Sequence, residues 1–226
     1  MPDWNEYYLN ESDVPKAPEA EVHRFIELIE SKFSDRPLRV WDHLCGAGRH
    51  TVLIAQMGHS AYGTDGAKNA IELTQKRLTR EGLSAHLVVA DMTFCPWSDA
   101  TFHGVISWDA IYHNTLDNIE KAMIMIYEHL IKGGLFLGTF KSKKADSYGV
   151  GTKIEENTYI SDTKCCKDEG IPHHFFDENG LRDLFKKWEI LVMAEQVITY
   201  AEKRTDVIKH NIFSHTTWNI IARKSK

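Results

Sequence analysis

The stretch from Arg39 to Asp65 constrains the fold more than any other part of the chain. It contains an apolar run, a turn with two glycines (Gly46 and Gly48), a helical segment, and a second run that ends on an acid. This order predicts a strand, a turn, a helix and a second strand, which is the first half of a nucleotide-binding α/β layer. We therefore expect the ligand of this protein at the glycine turn.

The remainder of the chain continues the alternation of strand and helix. The predicted strands cover residues 38–44, 60–65, 85–90, 104–108, 135–140, 188–200 and 216–222. The first five alternate with helices, so right-handed crossovers predict a parallel sheet with helices on both faces. A short link joins the last two, which predicts antiparallel neighbours. The expected fold is α/β, with a mostly parallel seven-stranded sheet and an antiparallel last strand.

The length of 226 residues suits a single domain over residues 1–226. Residues 1–34 are predicted to form an N-terminal arm, with aromatic side chains among acids, followed by one amphipathic helix. Residues 141–174 are polar and have few periodic apolar residues, so we predict a long loop there. We expect this loop to lie on the substrate side of the domain.

Composition excludes several classes of function. The net charge is -5 and no basic run is long enough to follow a phosphate backbone, so nucleic acid is not an expected partner. No apolar run approaches the roughly 20 residues that span a bilayer, and the N-terminus does not resemble a signal peptide. These features, with no C-x-x-C pair among four cysteines, predict a cytoplasmic protein without a membrane partner.

The sequence also predicts no metal site. His173 and His174 are adjacent, but neighbouring side chains of an extended chain point apart and no third ligand is near. The vicinal cysteines Cys165 and Cys166 are interpreted as surface thiols rather than as ligands of a soft metal.

The glycine turn itself favours one kind of ligand. Two glycines let the backbone approach a ligand closely, and the following helix presents free N–H groups to an anionic group. A dinucleotide fingerprint would place a third glycine at position 51, where this chain has Thr51. Asp42 at the entry of the turn suits an ammonium group and repels a pyrophosphate. These departures favour a nucleoside that carries an amino acid over a nicotinamide dinucleotide.

Residues 42–48 resemble motif I of class I S-adenosylmethionine-dependent methyltransferases, acid-x-Gly-x-Gly-x-Gly. Asp42, Gly46 and Gly48 match, and Leu44 stands where the first glycine is usual. The turn is therefore either tighter or shifted at Leu44. The resemblance covers residues 38–140 and 175–223, and it implies a Rossmann-like class I methyltransferase fold with S-adenosylmethionine as cofactor and S-adenosylhomocysteine as product.

Further residues take their expected roles from this resemblance. Asp65 ends the second strand, where an acid accepts from the ribose hydroxyls. Asp91 ends the third strand, where an acid accepts from the adenine amino group, and Trp108 ends the fourth strand beside the methionine moiety. The expected cofactor-binding residues are Asp42, Leu44, Gly46, Gly48, Asp65, Gly66, Asp91, Met92, Trp108 and Tyr8.

The candidates for catalysis are His113, Tyr112 and His174. His113 follows the fourth strand and resembles a histidine often found there in small-molecule methyltransferases, as a base or a substrate contact; the alternative is a structural histidine bonded to backbone. Tyr112 is equally consistent with the core. One histidine of the pair at 173–174 is predicted to reach the pocket. Tyr8 and its aromatic neighbours are predicted to close over the sulfonium as a lid.

The sequence thus predicts an enzyme that moves a methyl group from S-adenosylmethionine to an oxygen, nitrogen or sulfur atom of a small molecule. Two alternatives remain: a non-catalytic protein that binds the cofactor as a partner subunit or sensor, and an NAD-dependent oxidoreductase. The acceptor and the oligomeric state stay open.

Overall fold

The structure is a computed structural model that describes residues 4–9, 11, 14–160, 169–202 and 211–225. The helices are α1 (Trp4–Tyr7), α2 (Ala20–Lys32), α3 (Arg49–Gln56), α4 (Lys68–Arg80), α5 (Leu116–His129) and α6 (Glu178–Leu184). The strands are β1 (Arg39–His43), β2 (Ser60–Asp65), β3 (His86–Val89), β4 (Phe102–Ser107), β5 (Leu130–Ser142), β6 (Thr152–Glu155), β7 (Thr158–Ile160), β8 (Pro172–Phe176), β9 (Trp188–Glu202) and β10 (Asn211–Lys224).

The main sheet has the order β3-β2-β1-β4-β5-β10-β9. Strands β1 to β5 are parallel, and β10 runs antiparallel between β5 and β9. This arrangement confirms the predicted seven-stranded sheet, in which the last strand in sequence is the antiparallel one.

Both faces of the sheet are covered. Alternate residues of one strand belong to different hydrophobic clusters: Val105 and Phe136 pack with α5, whereas Ile106 and Leu135 pack with α2. Because successive side chains of a strand point to opposite faces, the two clusters lie on the two sides of the sheet. Every residue of β4 is buried, as expected for a central parallel strand.

The α5–β5 boundary differs from the prediction. The sequence predicted the fifth strand to begin at residue 135, but α5 ends at His129 and β5 begins at once with Leu130 paired to Phe102. The register between β4 and β5 then shifts, and Gly133 takes a φ of 77° within the strand. A glycine inside a strand permits such an irregularity.

The prediction of a loop over residues 141–174 is wrong for much of that segment. Strand β5 continues to Ser142, and β6, β7 and β8 form a small antiparallel sheet. This sheet joins the main one where β8 pairs with the last two residues of β5, beyond its pairing with β4. The exposed side chains of β6 give no apolar alternation, so the sequence carried no strand signal there. Cys165 and Cys166 lie outside the described residues.

Part of the N-terminal segment packs against the glycine turn and α4. Val14 packs against Ala47 and Leu73, and Arg77 donates to the Pro15 carbonyl at 3.2 Å. Val14 and Pro15 are thereby held near the glycine turn. In the part of the chain that the structure describes, no helix combines the length and apolar character needed to cross a membrane.

Candidate functional site

A cavity of about 390 Å³ opens where the carboxyl ends of β1, β2, β3 and β4 meet. This is the edge at which open α/β sheets bind their ligands. Of the residues predicted from the sequence, those that line the cavity are Tyr8, Leu44, Gly46, Asp65, Gly66, Asp91, Met92, Trp108 and His113. Asp42, Gly48, Tyr112 and His174 were also predicted, and they do not line it.

The glycine turn keeps its shape at Leu44. Leu44 has a φ of 60°, close to the 54° of Gly46, and Gly48 has 78°. Leucine therefore adopts the left-handed backbone that glycine takes at low cost, at an energetic penalty of about 1–2 kcal/mol. The turn is held by Cys45 N–H, which donates to the Thr64 carbonyl at 2.9 Å. The sequence left open whether the turn is tighter or shifted at Leu44. The structure shows neither: Leu44 is strained, and the turn is otherwise regular.

Asp42, predicted as a cofactor contact, does not line the cavity. Its side chain is only 2% exposed, and its Oδ2 accepts from Thr51 Oγ1 at 2.6 Å. Burial raises the pKa of Asp42 to about 7. The carboxyl group thus fixes the first turn of α3 to β1, and it supports the glycine turn from behind.

Gly48 also acts from behind the cavity. A Cβ at this position would lie 2.6 Å from Thr74 Oγ1, and that hydroxyl donates to the Gly46 carbonyl at 2.9 Å. Only glycine combines a positive φ with so close an approach of α3 to α4. Gly48 therefore positions the turn through helix packing.

Asp65 is the buried acid at the centre of the cavity wall. It is 8% exposed; its Oδ2 accepts from Gly46 N–H at 2.9 Å and its Oδ1 from Ala67 N–H at 2.8 Å. Burial raises the pKa of this carboxyl group, and the two backbone hydrogen bonds oppose the shift. Each carboxylate oxygen has a further lone pair, so Asp65 joins β2 to the glycine turn and still has room to accept from a ligand.

The segment that ends β3 is fixed by a histidine that the sequence analysis did not single out. Asp91 Oδ1 accepts from both the N–H and the hydroxyl of Thr93, which lowers its pKa. His43 Nε2 lies 2.8 Å from the Met92 carbonyl and its Nδ1 lies 3.2 Å from Ser107 Oγ. Burial lowers the pKa of His43 to about 4, so this neutral ring donates from Nε2 to Met92.

An ion pair in the cavity was also missed. Arg49 Nη1 lies 2.7 Å from Glu19 Oε1, and its Nη2 lies 3.7 Å from Asp109 Oδ2. Asp109 has a φ of 51°, and its N–H donates to Thr139 Oγ1 at 2.6 Å. Partial desolvation raises the pKa of Asp109, and Arg49 opposes that shift. Arg49 directly follows Gly48 and Asp109 directly follows Trp108. Their position next to predicted site residues was the sequence signal that could have identified them.

Three aromatic residues of the N-terminal arm line the cavity: Trp4, Tyr7 and Tyr8. Adjacent rings lie edge to face, with centroids 5.8 Å apart for Trp4 and Tyr7 and 4.9 Å apart for Tyr7 and Tyr8. The Tyr8 hydroxyl lies 2.7 Å from the position of a Cβ at Gly46. Burial and the nearby Asp65 raise the pKa of Tyr8. The arm is thus placed where a lid over the glycine turn would stand.

The catalytic candidates differ in their position relative to the cavity. His113 lines the cavity and lies 5.5 Å from Trp4, centroid to centroid. Tyr112 is 2% exposed and lies behind His113, with ring centroids 4.4 Å apart. Tyr112 therefore lies behind the residues that line the cavity, in agreement with its alternative interpretation as core.

His174, which the sequence predicted as a catalytic residue, does not line the cavity. Its Nδ1 lies 2.6 Å from Thr158 Oγ1 and 3.7 Å from Glu155 Oε1, and burial lowers its pKa to about 4. The neighbouring His173 approaches His113 instead, with ring centroids 4.5 Å apart. The two histidines lie on opposite faces of β8, and the sequence did not indicate which face meets the cavity. Across the described residues, no group of three or more potential ligands could hold a metal ion.

Comparison with known proteins points to the same part of the chain that forms the cavity. A family model described as a methyltransferase domain matches residues 40–134, from β1 into β5. The matched part of the chain is thus similar to a methyltransferase domain. This family depends on S-adenosylmethionine, and the matched residues include the glycine turn, Asp65 and Asp91. The resemblance drawn from motif I is thereby confirmed.

Solved structures show the same fold. TehB from Haemophilus influenzae matches with a TM-score of 0.68 and 18% identity, over 93% of this chain and 63% of that chain. An S-adenosylmethionine-dependent methyltransferase from Methanosarcina mazei matches with a TM-score of 0.70 and 18% identity, over 92% and 98%.

A third structure is similar over most of its length. It is the 1,6-didemethyltoxoflavin-N1-methyltransferase of Burkholderia thailandensis, with bound 1,6-didemethyltoxoflavin and S-adenosylhomocysteine. It matches with a TM-score of 0.62 and 18% identity, over 92% of this chain and 80% of that one. No protein of curated function matches the sequence.

Proposed function

We propose that this protein is an S-adenosylmethionine-dependent methyltransferase that acts on an oxygen, nitrogen or sulfur atom of a small molecule. The observation that carries the proposal is the single cavity in which the glycine turn, Asp65, Asp91 and Trp108 meet. These residues come from the ends of four neighbouring strands, so one ligand can contact all of them.

The residues present fit the implied cofactor. Asp65 retains acceptor positions for ribose hydroxyls, and Asp91 carries a carboxylate beside a backbone segment fixed by His43. The volume of about 390 Å³ falls within the 300–1,000 Å³ typical of small-molecule sites. Leu44, Gly46, Gly66, Met92, Trp108 and Tyr8 are proposed as further contacts, whereas Asp42 and Gly48 are proposed to position the turn.

The bound cofactor supplies a methyl group on a sulfonium, which is already activated for transfer. The protein then has to align the acceptor, exclude water and, for a protonated nucleophile, remove a proton. Trp4, Tyr7 and Tyr8 cover the cavity from the arm, and His113 is the proposed base or acceptor contact. Catalysis therefore rests mainly on positioning.

A small acceptor is favoured over a macromolecule. The N-terminal arm lines the cavity, and His173 of β8 packs against the cavity residue His113, so two added segments border the proposed acceptor side. The net charge of -5 also disfavours a nucleic acid. In the Burkholderia methyltransferase the acceptor is a small heterocycle, which is consistent with this choice. We propose one domain over residues 1–226, since the seven main strands form one sheet.

The alternative functions have less support. An oxidoreductase of the dinucleotide type predicts a third glycine at position 51 and a parallel ending. Thr51 instead bonds to Asp42, and β10 is antiparallel. A non-catalytic binder was suggested by the substitution at Leu44, but the turn keeps its backbone there.

Isothermal titration with S-adenosylmethionine and S-adenosylhomocysteine tests the cofactor, with NADH as the comparison ligand. Binding of both sulfur ligands and not of NADH is the expected result; no binding at millimolar concentration contradicts the proposal. Turnover is then followed as release of S-adenosylhomocysteine with a panel of hydroxyl, amine and thiol acceptors. Binding without turnover of any acceptor class would favour the non-catalytic alternative.

A further inference from the structure

One side of α4 contacts the N-terminal arm along almost the whole length of the helix. Four residues form this side, and they follow one another at intervals of four, four and three positions: Asn69, Leu73, Arg77 and Arg80. Residues three and four apart are neighbours on a helix surface. Each of the four contacts a residue between positions 5 and 15. We call this set the arm-facing side of α4.

Both ends of the arm-facing side make polar contacts with the arm. Near the start of α4, Asn69 N–H donates to Asn5 Oδ1 at 3.3 Å, and Asn69 Nδ2 donates to the Asn5 carbonyl at 2.8 Å. Near its end, Arg80 donates from both Nη atoms to the two carboxylate oxygens of Glu11, at 2.6 Å and 3.0 Å. Because Asn5 belongs to α1, the first pair of hydrogen bonds holds that short helix in place.

The middle of the arm-facing side is apolar at Leu73. Leu73 is 7% exposed and forms a cluster with Val14 of the arm and Ala47 of the glycine turn. Tyr7 and Tyr8 pack against this cluster. Leu73 therefore joins the arm and the glycine turn in one contact.

Arg77 is the buried cation of the arm-facing side. It is 9% exposed, and a buried charge needs polar partners. Its Nη1 donates to the Pro15 carbonyl at 3.2 Å, and its Nε lies 3.9 Å from Glu11 Oε1. Glu11 thus faces two arginines, and the hydrogen bond from Arg80 is the main cause that lowers the pKa of Glu11. The arm therefore supplies partners for both cations.

The arm that is seated on α4 carries the rings that line the cavity. Trp4, Tyr7 and Tyr8 line it together with the glycine turn and Asp65. The Tyr8 hydroxyl lies 2.7 Å from the position of a Cβ at Gly46. A ligand that contacts both the turn and Asp65 therefore lies against these rings, and it can leave past them only when they move away.

We propose that the arm-facing side of α4 seats the arm over the bound cofactor, and that Asn69 and Arg80 are positioning residues that set how fast S-adenosylhomocysteine leaves. This inference rests on the proposed methyltransferase function and concerns the regulation of the same site. Neither residue lines the cavity, so each acts through the rings of the arm. Release requires the contacts of Asn69 with Asn5 and of Arg80 with Glu11 to break, so weaker contacts give faster release.

The first test measures how fast tritiated S-adenosylhomocysteine leaves the full chain after dilution into unlabelled ligand. Asn69→Ala removes the side-chain hydrogen bond to Asn5 and is expected to raise the dissociation rate about fivefold. Arg80→Gln is expected to raise it about threefold, whereas Arg80→Lys, which keeps the charge, should raise it less. Glu72→Gln is the matched control, because it breaks an exposed ion pair with Lys68 on the same helix, outside the arm-facing side.

Ionic strength gives a readout that a purely structural role of Arg80 would not change. The side chains of Arg80 and Glu11 are 61% and 29% exposed, so salt screens their attraction. An increase from about 0.05 M to about 1 M NaCl should speed release from the wild type and from Arg80→Lys, and should have a smaller effect on Arg80→Gln. An equal salt response in Arg80→Gln and the wild type overturns the role of this ion pair.

Hydrogen exchange of residues 4–9, followed by mass spectrometry without a ligand, tests the seat of the arm independently of the cofactor. Asn69→Ala and Arg80→Gln should increase exchange in this segment, whereas Glu72→Gln should leave it unchanged. Faster exchange with an unchanged dissociation rate overturns the control of release by the arm.

Unchanged exchange and unchanged release in Asn69→Ala and Arg80→Gln overturn the inference as a whole. An equal acceleration in Glu72→Gln also overturns it, because any change on α4 would then have the same effect. In each case, retained binding of S-adenosylhomocysteine leaves the proposed function standing. Failure of the wild type to bind S-adenosylhomocysteine would instead refute that function itself, and this inference with it.

Discussion

The two halves of the cavity are built in different ways. The proposed cofactor half consists of the glycine turn and the ends of β2 and β3, which lie within residues 44–92. The proposed acceptor half contains Trp4 of the arm and His113 of the loop after β4, and His173 of the added sheet packs against His113. The first half is therefore built from elements that are close in sequence. The second is formed by packing between segments that are far apart in sequence. Substitutions in the two halves are therefore expected to separate cofactor affinity from acceptor chemistry.

The largest effect is expected at Asp65. Asp65→Ala removes the acceptor of the Gly46 and Ala67 N–H groups as well as the proposed ribose contact, so affinity for S-adenosylhomocysteine should fall about 100-fold or more. Asp42→Asn is the comparison, because Asp42 lies outside the cavity and an amide still accepts from Thr51. Its affinity should change by less than about threefold. Calorimetry of both variants measures this, and equal losses would contradict the role of Asp42 as a support.

A pair of glycines tests the packing behind the turn. Gly48 and Gly58 flank α3 with φ values of 78° and 80°, but a Cβ at Gly58 meets nothing within 4 Å. Gly58→Ala should cost about 1 kcal/mol of unfolding free energy. Gly48→Ala should cost about 1–3 kcal/mol more, because Thr74 cannot retreat without breaking its bond to Gly46. Chemical denaturation gives both values; equal costs would show that only the backbone conformation matters.

Low pH should lower the free energy of unfolding, because a neutral histidine is buried in or beside each half of the cavity. Burial lowers the pKa of His43, in the cofactor half, and of His174, beside the acceptor half, to about 4. In the unfolded chain the pKa is about 6.5, so between pH 6.5 and 4 the unfolded state binds more protons. The free energy of unfolding should fall as the pH decreases through that window, by up to about 1.4 kcal/mol per pH unit for each histidine.

His43→Asn is the variant that sharpens this expectation. Asparagine does not titrate and its amide can donate to the Met92 carbonyl, so the slope of stability against pH should decrease by about one proton. Denaturant titrations at several pH values between 7 and 4 measure the slope. A slope identical to that of the wild type would mean that His43 is protonated in the folded state.

The smallest effect is expected at Leu44. Leu44→Gly releases backbone strain of about 1–2 kcal/mol and loses the packing of a partly buried side chain against the core. The two changes offset each other, so stability should change by less than about 1 kcal/mol and cofactor affinity by less than about threefold. Loss of binding in this variant would show that the leucine side chain itself contacts the cofactor.

Much of the fold was predictable because its signals are local. The parallel strands are continuous apolar runs buried on both faces, and short connections fix their order. The sheet β6–β8 was missed since it is stabilised by its own pairing and by the end of β5, while the side chains of β6 stay exposed. The early start of β5 was missed because Gly133 and Gly134 are typical of a helix end, yet here they sit in an irregular strand.

The same distinction applies to the site. Asp65 and Asp91 were predictable from their positions at strand ends. Asp42 was placed at the ligand by its charge at the entry of the turn and by the motif, whereas its orientation depends on Thr51, nine residues on. The contact of His113 with His173 depends on the register of β8 against the loop after β4, and no sequence pattern encodes that register.

Strand β5 has a further consequence through its last two residues. Lys141 and Ser142 extend beyond the pairing of β5 with β4 and pair with β8. The small sheet is therefore joined to the main sheet through these two residues of β5. Residues between Ser142 and Pro172 can then be exchanged for another insert while the glycine turn and the acids of the strand ends stay unchanged. For the protein engineer, we expect that the proposed acceptor side can be altered through this insert without changes to the proposed cofactor side.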